Sequence, residues 1–129
     1  YQVAFISGRT DATHYSVQSF NGSIPLATTT AAVNVYRAFN SLSNWESQSV
    51  ANVNASIDDT VDDYVVYTST DLVSDDTVAM VAAYGDGADT TAVTIDGWTT
   101  GPNNYIKIYT PVSTSEVGTS QRHNGKWDT

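Results

Sequence analysis

Thr94-Ile95-Asp96-Gly97-Trp98-Thr99-Thr100, followed by Asn104-Tyr105-Ile106-Lys107-Ile108-Tyr109-Thr110-Pro111, is the stretch whose reading decides the fold. Its β-branched and aromatic residues come in short runs, and the runs are broken at Asp96-Gly97 and at Gly101-Pro102-Asn103-Asn104. Those breaks carry turn chemistry: glycine and asparagine tolerate positive φ, and proline pre-sets a turn. Residues 93–95 and 105–109 therefore read as short strands separated by polar corners.

The same pattern continues upstream. Residues 64–67 and 78–84 read as strands, with Asp75-Asp76 and Gly85-Asp86-Gly87 as the corners between them. Residues 33–39 alternate Val33, Val35, Arg37 and Phe39 against Asn34, Tyr36 and Ala38, the period of a half-buried strand. Residues 17–20 form a shorter candidate that runs into the Asn21-Gly22 turn. Residues 1–7 are apolar and end at Gly8. One segment breaks the rule: in residues 41–50, Leu42, Trp45 and Ser49 share a helical face, Asn40 or Ser43 can cap it, and Ser43 with Glu46 has capping-box spacing. A helix of two or three turns is marginal alone, so Leu42 and Trp45 must pack on the strands. Residues 51–60 read as a polar loop. The expectation is a mainly β, short-stranded single domain spanning residues 1–129 with one short helix; a sandwich, an irregular β domain and a coiled solenoid all fit.

Composition narrows the function. A chain of 129 residues can bury roughly 65 to 70% of its unfolded surface as one domain. Fourteen acidic residues against five basic ones give a net charge of −9, which disfavours nucleic acid and anionic membrane surfaces. Ten of the acids lie between Asp58 and Asp96, and no Lys or Arg falls between Arg37 and Lys107. Cysteine is absent, so disulfides, thiolate metal sites and cysteine nucleophiles are excluded together. Thr and Ser supply 32 residues while Lys and Glu are scarce, a composition read here as extracellular or surface-exposed. A start at Tyr1 fits a removed leader, and no apolar run is long enough to span a membrane.

Val35-Tyr36-Arg37-Ala38-Phe39, Asn44-Trp45-Glu46, the segment from Thr90 to Trp98, residues 105–111 and the closing Glu116-Val117-Gly118 … Gln121-Arg122-His123-Asn124-Gly125-Lys126-Trp127-Asp128 together resemble the N-terminal region of bacterial exported surface proteins built on a right-handed parallel β-helix. The resemblance covers about residues 33–129 and is densest after Thr90. It implies the first coils of a β-helix, with residues 90–129 coil-like, and it carries no catalytic residues. Because each coil buries its apolar face only on the next, a chain that stops at Thr129 is expected to be a piece of a longer protein or to stack on a neighbour.

Candidate sites follow. Asp58, Asp62, Asp86 and Asp89 could gather carboxylate and carbonyl oxygens for calcium, though not at EF-hand spacing; ordinary solvated turns are the alternative. Residues 1–7 form a candidate assembly strand: Val3 and Phe5 face one way and Ile6 the other, so both faces need cover, as in strand addition to another subunit. Arg122 and Trp127 flank the one locally basic cluster, read as a subunit or coil contact. His14 and His123 lack metal-site spacing. The tyrosines, with Trp98 and Trp127, serve core packing, a subunit interface or sugar stacking. Asn21-Gly22-Ser23 and Asn54-Ala55-Ser56 match the N-glycosylation pattern. No catalytic constellation stands out. The expected function is that of a non-catalytic extracellular structural protein, a subunit or module of a surface filament, stalk or adhesin that associates through β-strand edges with itself or another surface subunit. The alternative is a carbohydrate-binding or polysaccharide-cleaving β-helix protein.

Overall fold

The computed structural model describes residues 3–11, 13–27, 29, 32–85 and 87–112. Among them are four short strands, one short α-helix and two 3-10 helices: β1 (Phe5–Arg9), β2 (Tyr15–Gln18), α1 (Leu42–Glu46), the 3-10 turns Val50–Asn52 and Asp59–Tyr64, β3 (Ala79–Ala82) and β4 (Ile106–Tyr109). The strands form two two-stranded sheets, β1-β2 and β3-β4. The chain is mainly non-helical, with short strands in small sheets. Its residues fall into two compact units.

The first unit draws on Tyr1–Phe5, Gln18–Thr70 and Asp89–Trp98. Its centre is an aromatic cluster. Trp45 is 5% exposed and stacks on Trp98 with ring centroids 5.4 Å apart at 11°, and Tyr67 meets Trp98 edge-on at 5.5 Å. Offset stacking beside an edge-to-face contact is what the ring quadrupole favours. Val53 and Val61 complete the buried apolar set of this unit. The helix forms where expected but is shorter, and Ser41, not Asn40 or Ser43, caps it: its extended backbone lets Oγ accept from the Asn44 amide at 3.0 Å. Glu46 is not part of a capping box; its carboxylate accepts the Asp96 amide at 3.3 Å. The helix ends because Gln48 turns to φ 45°, and its side chain bridges the Trp45 carbonyl and the Tyr67 amide. Three further expectations fail here. Residues 33–39 form no strand, since alternation signals one buried face but not a ladder partner. The carbonyls of Arg37 and Ala38 are instead held by Asn54. Residues 64–67 form no strand either, because Asp58 caps a 3-10 helix that runs through Tyr64. Residues 93–95 are likewise outside any strand.

The second unit draws on Ile6–Val17, Asp71–Ala88 and Thr99–Thr129. Leu72 and Ala79 are fully buried, as is Pro111. β3 and β4 pair in parallel, Ala79 opposite Ile106 through Ala82 opposite Tyr109, and Asp71 makes an isolated parallel bridge to Thr99. The ladder is extended at both ends, by the Ala79 amide to the Tyr105 carbonyl at 3.0 Å and the Ala83 amide to the Tyr109 carbonyl at 2.8 Å. Between the Asp71 bridge and β3 the chain turns at Asp76, held at φ 47°. Gly101 packs closely: a Cβ there would sit 3.2 Å from Val73 Cγ2, which would have to shift by a few tenths of an ångström. β1 and β2, joined through residues 10–14, form a hairpin too short for a crossover connection.

Candidate functional site

The site that the backbone builds is the outer edge of the parallel ladder. Parallel strands alternate, one residue bonding toward its neighbour and the next away from it. Ala79 and Ala83 donate toward β4, and Tyr105 and Tyr109 accept from β3. Met80 and Ala82 therefore turn their backbone groups to the far side of β3, and Ile106 and Ile108 to the far side of β4. The side chains alternate independently. Ala79, Val81, Ile106 and Ile108 share one face, Met80, Ala82, Lys107 and Tyr109 the other, where the Lys107 ammonium lies 5.0 Å from the Tyr109 ring centre. Met80 and Ile108 remain 54% and 42% exposed. Strand edges of this kind are where a further strand can pair.

The residues nominated for assembly are placed as follows. Phe5 and Ile6 lie in β1, which pairs with β2 along one edge. The strand also runs past Gly8 to Arg9, and a Cβ added at Gly8 would meet Ser16 Cβ at an ordinary 3.9 Å. Val3 precedes β1 and is half-buried. Arg122 and Trp127 lie outside the described residues, as do His123 and Asp86.

Among the described residues, which leave out Asp86, no three acidic or histidine side chains group closely enough to hold a metal ion. Asp58 and Asp89 each accept hydrogen bonds. Asp58 accepts the Thr60 hydroxyl at 2.6 Å and amide at 3.0 Å, capping its 3-10 helix, and these bonds hold its pKa below the ordinary value. Asp62 lies within that helix. Asp89 accepts the Leu42 amide at 2.8 Å and the Thr91 amide at 3.0 Å, tying a distant loop to the start of α1; the Leu42 amide is the main reason its pKa is lowered. Asp71 is lowered by the Ser74 amide and hydroxyl, and Asp11 by the Thr13 amide and the His14 ring.

A depressed carboxylate pKa stabilises the fold above the unfolded value of about 4 and ceases to do so as pH falls through the lower folded value. Stability is therefore expected to fall below about pH 4, and Asp89→Asn to flatten part of that decline. Circular dichroism of urea unfolding between neutral pH and the acid range checks it. Equal pH slopes for the two proteins would contradict the assignment to Asp89.

Sequence reasoning missed Phe20. It stacks on Tyr64 with centroids 4.1 Å apart at 19°, although the two residues are far apart in sequence. The Asn21-Gly22 turn was the available signal, since it fixes the direction of the residue before it. No described helix is long and apolar enough to cross a membrane. The chain matches no protein-family model, no curated protein and no solved structure.

Proposed function

We propose that this chain is a non-catalytic extracellular structural protein, a subunit or module of a surface filament, stalk or adhesin that assembles with copies of itself through β-strand edges. One observation carries the proposal. The chain returns beside itself in parallel at a nearly constant spacing, Asp71 beside Thr99 and then Ala79 to Ala82 beside Ile106 to Tyr109. That is how successive coils of a parallel β-helix meet, and a coil buries its apolar face only when another stacks on it. In this reading β3 and β4 are the first rungs, and the outward edge of β4 takes the next strand. The large number of exposed apolar residues, Ile24 at 92%, Leu26 at 82% and Val33 at 77% among them, fits a surface completed by association. The Ser- and Thr-rich, cysteine-free composition supports an exported location.

A single substitution separates edge assembly from general stickiness. Proline at Ile108 removes an amide that points away from β3 and leaves the β3-β4 bonds in place. Wild-type protein is expected to form ordered filaments as concentration rises, seen by electron microscopy and light scattering. Ile108→Pro is expected to stay monomeric with an unchanged circular dichroism spectrum. Monodisperse wild-type protein at every concentration, or filaments of Ile108→Pro like those of the wild type, would overturn the proposal.

A further inference from the structure

In the first unit, Phe5, Gln18, Ser19, Phe20 and Tyr64 line an open cleft of about 230 Å³. Each of its two principal rings is set by its own local structure. Phe20 stands in a turn closed by the Gly22 amide on the Ser19 carbonyl at 2.9 Å and by the Ser19 amide on the Ser23 carbonyl at 2.8 Å, with Gly22 at φ 81° and Asn21 Oδ1 accepting the Ser23 amide. Tyr64 is the last residue of the 3-10 helix that Asp58 caps and Val61 anchors. Two rings so fixed, stacked on one another with centroids 4.1 Å apart and still 59% and 49% exposed, form a pre-organised aromatic pair open to solvent. Core packing does not account for that exposure.

We infer that this cleft binds a single neutral pyranose. Its volume is below the ~300–1,000 Å³ of pockets for drug-sized ligands, which limits the occupant to about one ring. The lining is half aromatic and half hydrogen-bonding: the rings offer a flat, electron-rich face, while the Gln18 amide, the Ser19 hydroxyl and the Tyr64 phenol offer donors and acceptors. A pyranose has the matching pair of properties, a face of polarised C–H bonds and a rim of hydroxyls. Charge decides against acidic alternatives. The lining residues carry no charge, Asp59, Asp62 and Asp63 share the short helix with Tyr64, and the chain as a whole carries −9. Uronic acids and nucleotides are repelled there. The site does not depend on the assembly edge, which lies in β4, so the two proposals stand or fall separately.

The test is ligand-observed NMR and calorimetry on the whole chain with glucose, galactose, mannose and N-acetylglucosamine, beside glucuronate and a proline- and tyrosine-rich peptide. At least one neutral sugar is expected to bind, to perturb the Tyr64 ring signals, and to weaken about tenfold or more in Phe20→Ala. Gln18→Ala, an exposed position on β2, is expected to weaken binding without altering the fold, and it decides the matter should Phe20→Ala not fold. Failure of all four neutral sugars to bind, preference for glucuronate or the peptide, or unchanged sugar affinity in a folded Phe20→Ala or Gln18→Ala protein would overturn the inference.

Discussion

Replacing Trp45 by alanine is expected to cost about 3–5 kcal/mol of stability, a large share of the 5–15 kcal/mol typical of a small protein. Trp45 is the one deeply buried residue of α1, and five helical residues cannot hold themselves together without packing. Its ring lies flat on Trp98, which Tyr67 meets by its edge, so truncation removes one stacked partner and leaves a cavity beside the other. The Ser41 cap and the Gln48 bridge to Tyr67 depend on the same helix and would be lost with it. Urea unfolding followed by circular dichroism checks this, as a fall in midpoint at nearly constant slope. A loss under about 1 kcal/mol would show that the cluster does not organise the first unit.

Leu72→Ala is the corresponding test of the second unit, with an expected cost of about 2–5 kcal/mol. Leu72 is completely buried, and its backbone joins the two stretches that pair in parallel: the amide donates to the Thr99 carbonyl at 3.0 Å and the carbonyl accepts the Thr77 amide at 3.1 Å. The side chain removed lies where the Asp71–Thr99 bridge begins the approach to β3 and β4. Amide exchange should consequently accelerate at Ala79 and Ala83, which donate into β4, beyond what the fall in global stability explains. Unchanged stability, or exchange altered only next to Leu72, would contradict this coupling.

Local signals were legible and long-range ones were not. The strand expected at residues 105–109 appears as Ile106–Tyr109, and that at 78–84 as Ala79–Ala82, because short β-branched runs flanked by turn residues have few alternatives. The turns at Asn21-Gly22 and Asp96-Gly97 do place their glycines at φ 81° and 71°. The alternation at 33–39 misled because a period of two reports a buried face only when a neighbouring strand exists to make the face. Val35, 67% exposed, has found none among the described residues. The parallel direction of β3 and β4 could not be read from either segment, since register is a property of the pair. The Phe20–Tyr64 stack was hidden for the same reason: the turn that aims Phe20 is local, but its partner comes from the end of a 3-10 helix that the acidic run disguised as a loop. Within the acidic run, Asp58, Asp71 and Asp89 accept hydrogen bonds from amides and hydroxyls, partners that the sequence pattern does not reveal.

Residue-resolved hydrogen exchange of the Ile106 and Ile108 amides, compared between dispersed and assembled protein, tests the proposed edge assembly most directly. In dispersed protein both amides face away from β3 and should exchange fast, while the Ala79 and Ala83 amides, which bond into β4, exchange slowly. Assembly through the β4 edge predicts that Ile106 and Ile108 become protected in the filament to a degree comparable with Ala79. Filaments in which those two amides exchange as fast as in dispersed protein would contradict it.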